Sequence, residues 1–149
     1  MRSLHQLCTP RASVFDKSRR DVVLDITDLA ENRIDPEDFF AENYLTDGMK
    51  RLLENAFFRF ERKSQQRLYR FTQAMGGGKT HAMLVLGLLA KHPKFRTGVM
   101  GDLYRAKDLG PVRVVAFLGR QNPQEGLWGE IAEQLGKKEF FKDPVQYVS

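Results

Sequence analysis

A glycine-rich stretch followed by lysine and threonine is the part of this sequence best suited to chemistry. Residues 73–80 read Gln-Ala-Met-Gly-Gly-Gly-Lys-Thr. Glycines let consecutive backbone N–H groups point at one anion, and a helix that starts there adds its positive dipole end. Lysine would contact nucleotide phosphates and the threonine hydroxyl would ligate Mg²⁺. We interpret the stretch as a Walker A loop whose nucleotide-binding residues are Met75, Gly76, Gly77, Gly78, Lys79, Thr80 and His81.

The residues around the loop favour this interpretation over a chance glycine turn. The strict pattern requires glycine at position 73, where this chain has Gln73. Upstream, residues 68–72 are short and rich in aromatic and apolar side chains, which predicts a strand, although Arg70 is unusual in a central parallel strand. Downstream, residues 81–90 are apolar almost all round, which predicts a buried helix that ends before Pro93. Strand, loop and helix follow the order of a P-loop.

The same order recurs later in the chain. Residues 112–118 predict a second strand, and residues 127–135 predict an amphipathic helix that ends at Gly136. We therefore expect an α/β fold, a P-loop NTPase-like parallel sheet flanked by helices, incomplete and with a helical N-terminal extension. The expected domains are a flexible basic arm over residues 1–20, a mostly helical extension over 21–66 and a partial nucleotide-binding domain over 67–149.

Within the extension, two helices are predicted. Asp35 and Pro36 mark the start of a short one, and apolar residues at helical spacing predict a longer one from about Thr46 to Gln65. Residues 21–29 contain an apolar run that is typical of a strand or a short extended segment. The longer helix would pack on the flank of the sheet, with its basic residues outside.

The net charge of +5 is unevenly distributed over the 149 residues. Residues 21–48 carry one Lys or Arg and nine acids, whereas residues 49–70 carry seven Lys or Arg and two acids. Such alternation differs from a uniform nucleic-acid-binding face. The basic block at 49–70 is either a solvated helix face, which we favour, or a surface that contacts DNA phosphates.

The expected compartment is the cytoplasm, without membrane contact. No run of apolar residues is long enough to cross a bilayer, and the N-terminus lacks the apolar core of a secretory signal. The single cysteine, Cys8, cannot form an internal disulfide, which fits a reducing environment.

A nucleotide hydrolase also needs a carboxylate at the end of a second apolar strand. Residues 112–118 are followed by Gly119 and Arg120, and the run before Asp102 is short and broken by glycine. Asp25 follows an apolar run but lies upstream of the loop, so we interpret it as an ordinary exposed acid. With no catalytic residue visible, we expect ATP binding without hydrolysis by a front portion of a longer ATPase.

Three stretches together resemble a known family: residues 39–49, residues 76–81 and residues 127–132. The chain is similar to large AAA+-like P-loop ATPases of bacteria and archaea, long catalogued as a domain of unknown function, with relatives in anti-phage systems of the phage-growth-limitation and BREX kind. The resemblance implies ATP and Mg²⁺ at residues 76–80, with Lys79 on phosphate and Thr80 on the metal. It also implies self-association or defence-system partner proteins.

By analogy with AAA+-like proteins, Tyr44, Leu45 or Met49 would contact the adenine base, the alternative being that they are core residues. Trp128 is interpreted as a packing residue, and His81 as a residue that packs against the sheet. Two other functions stay open at this point: a catalytically silent nucleotide-binding or interaction module, and a fragment of a nucleic-acid helicase, whose first motif also ends in Gly-Lys-Thr.

Overall fold

The computed structural model describes residues 8–10, 15, 24–72, 76–105, 109–119 and 126–140. Over these ranges the chain forms helices joined by turns and extended segments. The α-helices are α1 (Ile26–Ala30), α2 (Pro36–Glu42), α3 (Asp47–Phe60), α4 (Lys79–Lys91), α5 (Arg96–Met100) and α6 (Gly126–Gln134). Short 3-10 turns lie at Pro93–Phe95, Gly101–Leu103 and Lys138–Phe140. Most of the predicted N-terminal arm lies outside the described residues.

The predicted parallel sheet is wrong, because the described part of the chain contains no β-strand. Residues 68–72 and 111–118 have no regular secondary structure, and they pack against two different apolar clusters that both include α4. Phe71 packs against the core between α3 and α4, whereas Val114 packs against the cluster that joins α1 to α4. Several of their apolar side chains are partly buried, but the backbone forms no strand. A sheet also requires two strands side by side, and local pattern does not encode that arrangement.

The start of α1 replaces the extended segment predicted within residues 21–29. The Asp25 carboxylate accepts the Thr27 N–H at 2.6 Å, and the Asp28 carboxylate accepts the Asp25 N–H at 2.8 Å. This reciprocal pair is a capping box, which satisfies N–H groups that a helix start leaves without acceptors. The hydrogen bond from the Thr27 side chain lowers the pKa of Asp25. Asp25 is therefore a helix cap and is partly buried, not an ordinary exposed acid.

The next two helices start where the sequence predicts. Asp35 accepts the Glu37 N–H at 2.7 Å ahead of Pro36, and Thr46 accepts the Met49 N–H at 3.3 Å. Helix α3 ends at Phe60, about one turn earlier than predicted. It ends there because the backbone turns into a left-handed conformation at residue 62.

Helix α4 lies in the centre of the packing. One cluster joins it to α3 and α5, and its buried residues are Met49, Leu53, Phe57, Ala82, Val85, Leu89 and Met100. A second cluster joins it to α1 through Leu29, Ile34, Leu84 and Leu88. Helices α1 and α4 approach closely at Gly87, where a Cβ would lie 2.2 Å from a Leu29 methyl carbon. The predicted extension and the helix after the glycine loop therefore share their apolar cores.

Arg96 of α5 is fully buried and links the end of α4 to the chain that follows. Its guanidinium donates to the Leu89 carbonyl at 2.7 Å and to the Ala90 carbonyl at 2.8 Å. It also donates to the Tyr104 hydroxyl and to the carbonyls of residues 109 and 110. A cation at these carbonyls complements the negative end of the helix dipole. The sequence predicted no element in this region.

A side chain of α6 forms hydrogen bonds with the backbone of residues 111–118. The Ala116 N–H donates to Gln134 Oε1 at 3.1 Å, and Gln134 Nε2 donates to the Ala116 carbonyl at 2.7 Å. The side-chain amide thus fills the place that a neighbouring strand would occupy. The predicted helix end at Gly136 is confirmed, with a φ of 65° at that residue.

Candidate functional site

The described part of the glycine loop has the conformation that its glycines allow. Gly76 has a φ of 81° and Gly78 a φ of 71°, in the left-handed region that other residues rarely adopt. A Cβ at either position would meet no atom within 4 Å, so backbone conformation rather than crowding requires glycine here. Residues 76–78 are exposed. Of the predicted site, Met75 lies outside the described residues, as does Gln73.

Helix α4 begins directly at the loop. Gly78 is its N-cap, and Lys79 and Thr80 are its first two residues. The Gly78 carbonyl accepts the first helical hydrogen bond, from the Ala82 N–H at 2.9 Å. N–H groups of a first helical turn have no acceptor within the helix, and glycine has no side chain with which to cap them. Such a start is a suitable place for an anion.

His81, also in the first turn of α4, contacts α2 and its C-cap. Its Nε2 lies 2.7 Å from Asn43 Oδ1, and its ring centroid lies 5.2 Å from that of Phe39. Partial burial lowers the pKa of His81. The predicted packing against a sheet is therefore wrong. His81 instead connects the helix that carries Lys79 and Thr80 to the segment between α2 and α3.

The three residues considered for adenine contact differ in exposure. Met49 is buried in the core and Leu45 packs against it. Tyr44 is 80% exposed, so the core interpretation is wrong for this residue alone. Tyr44 directly follows Asn43, whose side chain forms a hydrogen bond with His81. Trp128, 67% exposed on α6, is likewise not the packing residue that the sequence suggested.

The acidic, histidine and cysteine side chains of the described residues form no group of three or more that could hold a metal ion. Asp102, the other acid considered from the sequence, is exposed in the turn after α5.

A pocket of about 410 Å³, which the sequence analysis did not predict, lies at the opposite end of α4. Lys91 in its wall donates to the Leu29 carbonyl at 2.8 Å and to Asn32 Oδ1 at 2.6 Å. Arg33 pairs with Asp28 at 3.1 Å. These polar groups bond to one another, so their arrangement is explained by the packing of α1 on α4.

Comparison with protein families gives one match. The profile of the DUF499 N-terminal domain matches residues 10–98. The chain belongs to the DUF499 family. The match contains α1 to α4, the glycine loop, Asn43 and His81, whereas residues 127–132 lie beyond it. This match confirms that the chain belongs to a domain family of the kind that the sequence analysis expected. Its relationship to AAA+-like ATPases stays a prediction.

The other comparisons add no relative. Neither the curated proteins nor the solved structures gave a match to the chain. Among the described residues, no helix has the length and apolar character needed to span a membrane.

Proposed function

We propose that residues 76–80 bind the triphosphate of ATP together with Mg²⁺. The chain would then be the ATP-binding portion of a larger AAA+-like ATPase, of the kind found in anti-phage defence systems. One observation carries the proposal. Gly76 and Gly78 adopt positive φ values immediately before a 13-residue helix whose first residues are Lys79 and Thr80.

The residues present fit this ligand. Positive-φ glycines let neighbouring N–H groups converge on one anion, and the helix start adds a favourable dipole. Lys79 would hold phosphate oxygens and the Thr80 hydroxyl would ligate Mg²⁺. When bound, Mg²⁺ would neutralise part of the triphosphate charge.

The site also has a rigid support, although no sheet provides it. Val85 and Leu89 of α4 are fully buried between α3 and α5. The His81–Asn43 contact fixes the first turn of α4 against the chain after α2. Lys79 and Thr80 therefore lie on an element whose position is set by packing, which favours a preformed site.

Tyr44 is the residue we propose for contact with the base. By analogy with AAA+-like proteins, the segment before the loop lines the adenine pocket, and in that segment Tyr44 is exposed whereas Leu45 and Met49 pack in the core. An exposed aromatic ring offers a stacking surface to a base.

Titration with a fluorescent ATP analogue and Mg²⁺ tests the proposal. Lys79→Ala should weaken binding by roughly 10- to 100-fold, because a hydrogen bond to a charged group contributes about 1.5–3 kcal/mol. Lys50→Ala is the matched control, since Lys50 is an exposed helix lysine whose ion pair with Asp47 lies on the surface. Equal affinity in all three proteins would exclude the site. We also expect no hydrolysis that depends on Lys79.

A further inference from the structure

The end of α3 and the segment after it, up to residue 70, carry a concentration of positive charge. Within residues 59–70 a single acid, Glu61, stands against five Lys or Arg. Four of the five are exposed and form what we call the basic strip: Arg62, Lys63, Arg67 and Arg70. Glu61 is paired with Lys63, and its side chain is only 9% exposed. The surface of the strip is therefore almost purely cationic.

Arg62 occupies a backbone position that usually belongs to glycine. The Arg62 N–H donates to the Arg59 carbonyl at 2.9 Å and the Lys63 N–H donates to the Phe58 carbonyl at 2.8 Å. This pair of bonds forms a Schellman motif, in which the left-handed position is usually glycine. Arg62 occupies it with a φ of 62°. A non-glycine residue there costs about 1 kcal/mol, so a guanidinium is present where glycine would be more stable.

The chain after Arg62 is held in place. Arg59 Nη1 donates to the Ser64 carbonyl at 3.1 Å, and the Gln66 N–H donates to Ser64 Oγ at 3.1 Å. Farther along, side chains alternate. Tyr69 and Phe71 are partly buried, whereas Leu68, Arg70 and Thr72 are exposed. From residue 68 onward every second side chain is therefore exposed, Arg70 among them, whereas residues 65–68 are all exposed.

The geometry of this surface suits a phosphate chain. The four cations of the strip are exposed between residues 62 and 70, on a segment that hydrogen bonds at Ser64 fix to the end of α3. Three of the four cations are arginines, whose planar fork matches phosphate oxygens. Leu68, 82% exposed between Arg67 and Arg70, offers apolar contact to a sugar or base. A segment that inserts into a lipid surface buries a broad apolar face beside its cations. Leu68 alone does not provide one.

We propose that the basic strip binds the phosphate backbone of nucleic acid without sequence preference. The phosphates are contacted by Arg62, Arg67 and Arg70. Leu68 packs against the exposed sugar or base, and Arg59 positions the turn. The strip lies a few residues before the glycine loop in the sequence, and its binding does not depend on ATP.

The test is fluorescence anisotropy with a labelled mixed-sequence oligonucleotide, as single strand and as duplex, between about 50 and 200 mM salt. The variant R62Q/R67Q/R70Q removes three charges from the strip. The control R105Q/R113Q/K137Q removes three exposed charges elsewhere, so both have the same net charge. We expect the strip variant alone to lose at least tenfold in affinity. The slope of log K against log salt should decrease by about 2–3.

Three results would overturn the proposal. The first is absence of oligonucleotide binding by the unmodified chain. The second is an equal loss in both triple variants, because that would reflect net charge only. The third is strip-dependent binding to phosphatidylserine vesicles without oligonucleotide binding. R67Q/R70Q leaves the backbone at position 62 unchanged and should show about two thirds of the slope effect. The strip variant should bind ATP normally, so this proposal and the ATP site can fail separately.

Discussion

His81 Nε2 lies 2.7 Å from Asn43 Oδ1, and this contact joins two parts of the chain that are 38 residues apart. His81 is in the first turn of α4, next to Lys79 and Thr80, and Asn43 caps the C-terminal end of α2. An amide oxygen only accepts, so this contact requires the Nε2–H form of the imidazole. The start of α4 is thus oriented by a helix that precedes the glycine loop by more than thirty residues.

A double-mutant cycle measures this coupling. Asn43→Ala, His81→Ala and the double variant should show a coupling energy of about 0.5 kcal/mol in urea unfolding, since the bond is exposed. The single variants should also bind ATP less tightly, though less severely than Lys79→Ala does. Strict additivity of the two single changes would show that the contact does not form in solution.

The histidines also predict how stability depends on pH. Burial lowers the pKa of His81, and burial together with Lys91 and Lys94 lowers that of His92. Between those folded values and the usual value near 6.5, the unfolded chain binds more protons than the native chain. Stability should therefore decrease as pH falls through about 6.5.

Urea midpoints at about pH 7.5 and pH 5.5 measure this effect. His81→Gln should reduce the difference between the two midpoints, and adding His92→Gln should reduce it further. A difference that is unchanged in the double variant would contradict the assignment to these two imidazoles.

Arg96→Met tests the buried guanidinium. Methionine has similar length but no donor, so the carbonyls of Leu89 and Gly110 would lose the guanidinium. The Ala90 carbonyl would keep only the Val112 N–H. We expect a loss of about 3 kcal/mol or more in the free energy of unfolding, because each buried, unsatisfied acceptor costs roughly 1–3 kcal/mol. Exposed Arg113→Met is the control and should stay within about 0.5 kcal/mol. A loss below about 1 kcal/mol for Arg96→Met would contradict the buried network.

Two glycines in helices should respond oppositely to alanine. Gly87→Ala places a Cβ 2.2 Å from a Leu29 methyl carbon and should destabilise the protein by about 1–3 kcal/mol. Gly98→Ala in α5 meets no atom within 4 Å and should stabilise it by up to about 1 kcal/mol. Thermal unfolding of both variants measures the contrast. Stabilisation by Gly87→Ala would show that α1 does not approach α4 at this point.

The predictable parts of the fold are those that local chemistry determines. Asp35 with Pro36, Thr46 and Gly136 each mark a helix boundary because capping uses atoms within a few residues. The sheet was predicted from residues 68–72 and 112–118, whose apolar pattern is compatible with any half-buried extended chain. Only the tertiary structure shows that Gln134, rather than a strand, bonds to Ala116.

The candidate site likewise contains features that the sequence predicts and features that it does not. The positive φ values at Gly76 and Gly78 follow from residue type and spacing. The partner of His81 could not be read from the sequence, because Asn43 is distant and an isolated asparagine gives no pairing signal. Arg96 was missed for a related reason: arginine usually indicates a surface position, and its burial depends on carbonyls that several segments bring together.

The most direct measurement of the central claim is the backbone amide spectrum of the isotope-labelled chain during titration with ATP and Mg²⁺. The predicted result is saturable shifts that are largest at Gly76, Gly77, Gly78 and Thr80 and that are lost in Lys79→Ala. Shifts centred on the other end of α4, around Leu88 and Lys91, or no shifts at all would contradict the account.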